Sequence, residues 1–181
     1  ITTIKPDAFK IKPKSNKTGL KLIAVNTVFH NTSGESCSKP WLLEVPNPLT
    51  HIAWDSWLEI HPKKAEKLGI QHGEQVVVSN KRGDKVETVA WVYHGLDENT
   101  VVMPTGFGRS IGFPAYSTFR QNLLIPTKPG NPKTLKATTV GVNVMDLIPF
   151  GVEESTGNFV YTVADITIKG TGKKAFTPMM D

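Results

Sequence analysis

One segment, residues 57–79, most constrains what this chain can fold into, because it reads as a strand, a short helix and a strand in immediate succession. Pro62 suits the first position of a helix, where its missing N–H group would have no intrahelical partner. Gly69 suits the left-handed residue that follows the last turn, where a Cβ atom is costly. A helix of about two turns is not stable alone in water. The segment therefore predicts a helix that connects two strands of a β domain.

The rest of the chain favours the same class. With 13 prolines and 15 glycines among 181 residues, many short strands and turns are favoured over long helices. Residues 80–84 (NKRGD) predict a hairpin turn, and 85–92 alternate between two faces of a strand. Other strand-like runs lie at 20–29, 100–103, 138–148 and 159–169. This pattern predicts a β-barrel or sandwich with one or two short helices.

We divide the chain into one domain with extended ends. Residues 1–19 are rich in Lys, Pro and Ser and predict an extended arm or linker. Residues 20–169 contain all the predicted strands, and 112–137 form a long loop insertion within them. Residues 170–181 are predicted to be a tail.

Charge and cysteine content exclude several classes of function. The net charge is +5, but the lysines crowd near both ends and are not interleaved with aromatic residues, as a nucleic-acid surface would often require. We therefore expect no nucleic-acid partner. No apolar run approaches the ~20 residues of a membrane span, so no direct membrane span is expected. Cys37 is the single cysteine, which excludes a four-cysteine zinc or iron–sulfur site within this chain.

Catalytic and metal sites have little support in the sequence. The five histidines are scattered, and no HExxH pattern, GxSxG elbow or pair of carboxylates at apolar positions occurs. We therefore predict no catalytic and no metal-ligating residue in this chain.

Three places suit ligand binding, and each also has a purely structural explanation. Residues 30–33 (HNTS) follow a predicted strand and offer hydroxyl, amide and imidazole groups, or form an ordinary polar loop. Gly106 and Gly108 follow another strand, where glycines allow either close approach of a ligand or a tight corner. Asn143 is a polar residue in an apolar run, and either a ligand or a neighbouring turn could satisfy its amide.

Several motifs, in their order along the chain, resemble one known family. These are 57–92 (WLEIHPKKAEKLGIQHGEQVVVSNKRGDKVETVAWV), 100–108 (TVVMPTGFG), 141–149 (GVNVMDLIP) and 156–170 (TGNFVYTVADITIKG). The sequence resembles the molybdopterin-dinucleotide-binding domain, the C-terminal domain of molybdopterin oxidoreductases of the dimethyl-sulfoxide-reductase type. The resemblance covers 20–169.

The resemblance implies a mainly β fold, a six-stranded double-psi β-barrel like that of the aspartate-decarboxylase-like proteins, with short helices. It also implies that the domain does no redox chemistry alone. It would contact the pterin and phosphate groups of a bis-pterin guanine dinucleotide carrying molybdenum or tungsten, bound jointly with other domains. The family positions that contact the cofactor correspond here to His30, Asn31, Thr32, Ser33, His61, Gly106, Gly108 and Asn143. Many family members carry Asn where this chain has His61.

A further run, 40–62 (PWLLEVPNPLTHIAWDSWLEIHP), is similar to the polysulfide-reductase and alternative-complex-III group. Some subunits of that group keep the fold and have lost the metal cofactor. The alternative function is therefore a cofactor-free structural module of a respiratory electron-transfer complex. A third hypothesis is a self-cleaving enzyme of the decarboxylase-like type. Such an enzyme needs a Gly-Ser pair for self-cleavage, and this sequence has none.

The resemblance implies partners as well. The chain lacks the metal-ligating residue and the iron–sulfur cysteines that the family places upstream, so we expect a fragment or separate subunit of a larger oxidoreductase. The expected partners are the remaining domains or subunits, including an iron–sulfur protein. A periplasmic or membrane-associated position would come through those partner subunits.

Overall fold

Strands dominate the computed structural model, which describes residues 19–28, 39–108, 140–154, 156–175 and 179. The strands are β1 (Lys21–Val25), β2 (Trp57–Ile60), β3 (Glu74–Ser79), β4 (Lys85–Val92), β5 (Thr100–Pro104), β6 (Thr162–Val163) and β7 (Thr167–Lys174). Among the described residues, the helices are α1 (Pro62–Leu68) and two 3-10 helices, η1 (Pro40–Leu43) and η2 (Val144–Leu147). The prediction of a mainly β fold with short helices is confirmed.

The strand–helix–strand unit predicted at 57–79 is present as β2, α1 and β3. Pro62 begins α1, and Gly69 follows it with a left-handed φ of 68°. The N–H groups of Gly69 and Ile70 donate to the carbonyl oxygens of Glu66 and Ala65, at 3.0 and 2.9 Å, which satisfies the last turn. Ala65 and Ile70 are buried against the main core, so the short helix is stabilised by packing rather than by its length.

All seven strands of the described residues join in one sheet, in the order β6-β1-β5-β2-β4-β3-β7. Two neighbouring pairs are parallel, β1 with β5 and β2 with β4, and the other pairs are antiparallel. Parallel neighbours require crossover connections, so strands distant in sequence are adjacent in the centre of the sheet. In particular, β1 and β5 finish side by side, with Val25 opposite Pro104.

Hydrophobic residues pack on both faces of this sheet. The main core takes Leu58 and Ile60 of β2 together with residues of β1, β3, β4, β5 and β7. Trp57 points to the other face, because side chains alternate along a strand. There it joins Leu43, Trp54 and Phe107 in a second cluster. The segment around η1 therefore covers the outer face of β2 and β4.

The predicted barrel had six strands, whereas the sheet in the described part of the chain has seven and an open order. No pairing between its edge strands β6 and β7 occurs among the described residues. Two local assignments also differ from the prediction. Residues 144–147 form a 3-10 helix within the expected strand at 138–148, and the single strand expected at 159–169 is divided into β6 and β7, the second of which continues to 174. Most of the predicted arm at 1–19 and all of the insertion at 112–137 lie outside the described residues.

Candidate functional site

The polar residues with most structural support meet where β1 and β5 end and β2 begins, which we call the β1–β5 end. Thr105, directly after β5, is 3% exposed. Its N–H group donates to the carbonyl oxygen of Val25 at 2.9 Å, and its hydroxyl group donates to Asn26 Oδ1 at 3.0 Å. The loops that leave β1 and β5 are therefore fastened to each other at their first residues.

The glycine loop after β5 then packs against residues 140–143. Gly106 and Gly108 have φ values of 90° and 87°, a region that favours glycine. The Gly108 N–H group donates to the Val140 carbonyl oxygen at 2.9 Å. A Cβ atom on Gly108 would overlap the backbone nitrogen of Asn143. Gly108 is thus needed for the close approach of two protein segments.

Ser56, the residue before β2, connects these loops to β4 through hydrogen bonds. It is 1% exposed, and its Oγ accepts a hydrogen bond of 2.9 Å from the Val142 N–H group. Its carbonyl oxygen accepts a bond of 3.1 Å from Thr88 Oγ1, which connects the loop to β4. The sequence analysis missed both Ser56 and Thr105, because a small polar residue beside a strand carries no signal until its distant partner is known.

Asn143 begins η2 and satisfies its own amide there. Its Oδ1 accepts from the Met145 N–H group at 3.1 Å, and its Nδ2 donates to Asp146 Oδ1 at 2.9 Å. Of the two explanations offered by the sequence, the neighbouring turn therefore accounts for the amide in this structure. The residue lies at the β1–β5 end, next to Gly108.

His61 lies at the other end of β2. It is five positions along an extended chain from Ser56, a distance of roughly 16 Å. Its Nδ1 accepts from the Lys63 N–H group at 3.2 Å, so the side chain caps α1. Its ring contacts the ring of His94 edge-on, with the centroids 6.3 Å apart.

Charges near His61 are already paired. Glu98 Oε1 lies 2.8 Å from Lys63 Nζ, and Glu98 Oε2 lies 3.6 Å from Lys67 Nζ. The hydrogen bond from Lys63 is the main cause that lowers the pKa of Glu98, and the same bond to Glu98 raises the pKa of Lys63. These groups are at the surface, where water and salt weaken such pairs, so they orient side chains more than they stabilise the fold.

The structure thus brings together Gly106, Gly108 and Asn143, and places His61 apart from them. The remaining four predicted residues, His30, Asn31, Thr32 and Ser33, lie outside the described residues.

The polar groups described at the β1–β5 end bond within the protein. Ser56 and Thr105 are buried and their hydroxyls are hydrogen-bonded, as is the amide of Asn143. The acidic Asp146, which contacts Asn143, disfavours a bare phosphate there. Beside this end, Trp54, Trp57 and Phe107 line an apolar cleft with a volume of about 10 Å³, enough for about one water molecule. The cleft is therefore too small to hold an organic ring.

Two other features are lacking in the described part of the chain. No three His, Cys, Asp or Glu side chains there are grouped so that they could share a metal ion. None of the helices in that part has the length and apolar character needed to cross a bilayer.

Comparison with known proteins adds a family, one sequence relative and one structural neighbour. The model of the family described as "Molydopterin dinucleotide binding domain" matches residues 43–147, more than half of the chain. The thiosulfate reductase molybdopterin-containing subunit PhsA of Salmonella typhimurium is 28% identical over 120 residues, covering 66% of this chain and 13% of that protein. Acetylene hydratase from Pelobacter acetylenicus is a structural neighbour with a TM-score of 0.44 and 18% identity, covering 84% of this chain and 18% of its own. The chain therefore spans only a small part of these relatives.

Proposed function

Because the chain belongs to the molydopterin dinucleotide binding domain family, we propose that it binds part of a bis-pterin guanine dinucleotide in a molybdenum or tungsten oxidoreductase. The chain supplies backbone and side-chain contacts to the cofactor, and the redox chemistry lies in other domains or subunits. The substrate is also bound in those other domains or subunits.

The family match itself carries this proposal. It spans 43–147, which include strands β2 to β5, the glycine loop and Asn143. These elements also build the β1–β5 end. We infer that Gly106, Gly108 and Asn143 contact one part of the cofactor, together with the loop at 30–33.

His61 belongs to a second contact. It lies roughly 16 Å from Ser56 along β2, and a dinucleotide has chemically distinct halves that need not touch the same loop. Since Nδ1 of His61 accepts a hydrogen bond, the proton of the neutral ring is on Nε2. Nε2–H is then the donor that His61 offers to the ligand.

For the fold, we propose that the strands wrap into the six-stranded double-psi barrel, with β6 as an added strand. Residues of β1, β3 and β7, near both ends of the open order, share one hydrophobic core. The Ile166 N–H group also donates to the Leu20 carbonyl oxygen at 3.0 Å, which joins the residues that precede β7 and β1. The domain then extends beyond the expected end at 169, because its last strand continues to 174, so we propose bounds of 20–174.

Within the family, we propose that the chain belongs to the polysulfide-reductase and alternative-complex-III group. The run at 40–62 that resembles this group folds over the outer face of the sheet, where Leu43 and Trp54 enter the second hydrophobic cluster. As the chain covers 13% of its curated relative, the proposed partners are the missing domains or subunits, including an iron–sulfur protein.

The test uses the intact oxidoreductase that contains this chain. Its pterin content and its molybdenum and tungsten content are measured per chain, first for the wild type. Asn143→Asp keeps an acceptor for the Met145 N–H group but adds a negative charge beside an anionic cofactor. Because it also loses the bond to Asp146 and repels that carboxylate, the unfolding of each variant is measured alongside its pterin content. Asn99→Asp makes the same charge change at an exposed residue away from the β1–β5 end. We expect pterin to be retained in the control and at least about tenfold less in Asn143→Asp, which corresponds to about 1.4 kcal/mol of binding.

The second candidate is the cofactor-free structural module of a respiratory complex. It is favoured by one observation, that the polar atoms of Asn143 and the Nδ1 of His61 already bond within their own helical turns. This candidate predicts a folded assembly without pterin or metal. Neither Asn143→Asp nor Asn99→Asp would then change the composition of the complex.

A further inference from the structure

The segment that follows η2 forms a hairpin with two arms, 149–154 and 156–160, which we call the aromatic hairpin. The Glu153 N–H group donates to the Asn158 carbonyl oxygen at 2.8 Å, and the Val160 N–H group donates to the Gly151 carbonyl oxygen at 3.0 Å. Val152 and the Phe159 opposite it form an antiparallel bridge. Regular backbone pairing therefore holds both arms in a defined shape.

This hairpin presents apolar side chains to water. Phe150 is 87% exposed, Phe159 55% and Val152 50%. The two phenyl rings contact each other, with centroids 5.7 Å apart. An ordered group of exposed apolar side chains on one element is typical of an interaction site, whereas isolated exposed residues are not. Aromatic anchors of this kind contribute strongly to protein interfaces.

The aromatic hairpin lies at the β1–β5 end, beside the candidate cofactor loops. Its first arm starts two residues after η2, and η2 starts at Asn143. Four residues of 3-10 helix rise about 8 Å, so Phe150 lies within roughly 20 Å of Asn143. Its second arm leads to Tyr161, whose carbonyl oxygen accepts from the Ala24 N–H group at 2.8 Å on β1. Val28, on the loop after β1, is also 75% exposed.

We propose that the aromatic hairpin docks on another domain or subunit of the same oxidoreductase, in an apolar recess with a basic rim. The inference rests on the proposed function, under which this chain is one module of a larger protein. The curated relative is far longer than this chain, which covers 13% of it, so most of such a protein lies outside the chain. Glu153 and Glu154 are both exposed beside the aromatic residues, which calls for positive charge on the partner.

A second copy of this chain fits the surface less well. Copies that dimerise usually bury the same patch on both subunits. Such a contact through the aromatic hairpin would bring Glu153 and Glu154 of one copy towards those of the other. Like charges at an interface are unfavourable, so the acidic arm argues for a different and basic partner.

The experiment places the photo-crosslinking residue benzoyl-phenylalanine at position 150 of the intact oxidoreductase. The matched control carries it at Leu68, which is 40% exposed on α1. After irradiation, mass spectrometry identifies the crosslinked peptides. We expect position 150 to crosslink to a polypeptide segment outside residues 1–181, and the yield to exceed that of position 68 by about tenfold. Hydrogen exchange of the unmodified assembly provides a second measurement, in which the amides of 150–154 and 156–160 exchange more slowly than in the chain alone.

Three outcomes would overturn the docking proposal: crosslinks within residues 1–181 of the same chain, crosslinks between two copies of it, or yields no higher than at position 68 with no slowing of exchange. Pterin content measured in the same preparation separates this result from the proposed function. Docking without pterin would contradict cofactor binding and support the interface. Pterin without docking would agree with cofactor binding and contradict the proposed interface.

Discussion

His61 and Asn143 share a local role, because each places a side-chain acceptor on the N–H group two residues later at the start of a helix. Such caps satisfy backbone donors that the helix itself leaves without partners. This explains why polar residues stand at both positions without a ligand being required. It also means that a variant intended to test cofactor binding must keep the cap.

We predict that His61→Ala lowers the free energy of unfolding by about 1 kcal/mol, because the Lys63 N–H group loses its acceptor. His61→Asn should restore most of that loss, since Asn is among the best residues at this position. Chemical denaturation of the three proteins measures the effect. Equal losses in the Ala and Asn variants would contradict a capping role.

A substitution at Gly108 is expected to destabilise the fold in two ways, through backbone strain and through steric overlap. Gly108→Ala would strain a φ of 87° and force Cβ against the Asn143 backbone. We expect a loss of about 3 kcal/mol or more in unfolding free energy. Gly83→Ala is the matched control, because Gly83 has a φ of 95° but no atom within 4 Å of the added Cβ. Its cost should be the strain alone, about 1 kcal/mol. If both variants lose the same amount, the contact between the loops is loose in solution.

Among the helices and strands, those that depend on residues close in sequence are the ones that the sequence predicts correctly. Pro62 and Gly69 define α1 by local rules, and the alternation in 85–92 identifies β4. The sequence predicts a strand over 138–148, but the amide of Asn143 caps a 3-10 helix over 144–147 within it. A local side-chain hydrogen bond thus competes successfully with strand propensity.

The candidate site shows the other limit of sequence reasoning. Gly108 and Asn143 are 35 positions apart in the numbering, and Ser56 is still farther from both. Their proximity depends on the order in which strands pair, which composition and periodicity do not encode. Local sequence makes the glycines and Asn143 separate candidates, and the resemblance to a family groups them as one expected set of cofactor contacts because it supplies that order. Ser56 and Thr105, which hold the loops by hydrogen bonds, were found only in the structure.

Glu74 links two elements, β3 and β7, at the irregularity in their pairing. Its two carboxylate oxygens accept from the N–H groups of Gln71 and Gly172, each at 2.8 Å, and the residue is 7% exposed. The bond from Gln71 is the larger cause, and the bond from Gly172 the second, that lower the pKa of Glu74 below its usual 4.5. The ionised carboxylate is therefore preferred in the folded state.

This shift predicts how stability depends on pH. A carboxyl group with a lowered pKa in the folded state contributes fully above the unfolded pKa, and the contribution is lost as the pH falls through the folded value. We expect Glu74→Gln to lower the unfolding free energy at pH 7 by about 2 kcal/mol. The difference from wild type should shrink below about pH 4.5. The exposed Glu66→Gln is the control and should change stability by less than about 0.5 kcal/mol. A Glu74→Gln difference that stays constant from pH 7 to pH 3 would exclude the mechanism.

The curvature of the sheet decides the overall fold, because the sheet either wraps around its core or stays open. The strand order alone is open, with β6 and β7 at its edges. Yet Leu22 of β1 and Ile168 of β7 belong to the same buried cluster, together with Val78 of β3. A flat sheet of this order would hold β1 and β7 about five strand spacings apart, or roughly 24 Å, too far for one cluster of side chains. The burial pattern therefore favours a strongly curved sheet.

The hydrogen bond from the Ile166 N–H group to the Leu20 carbonyl oxygen is the contact that reports on this curvature. If the sheet wraps, this amide opens only with the core, and we expect its exchange to require about 4 kcal/mol or more, as for the Val78 amide in β3. The Leu49 N–H group, bonded to Asn47 Oδ1 at an exposed turn, is the fast-exchanging control. Exchange of Ile166 as fast as Leu49, with Val78 still protected, would show that β1 and β7 separate while the rest of the sheet holds. In that case the loops of the β1–β5 end would stand on an open edge, and a rigid cofactor site there would depend on a partner that covers it.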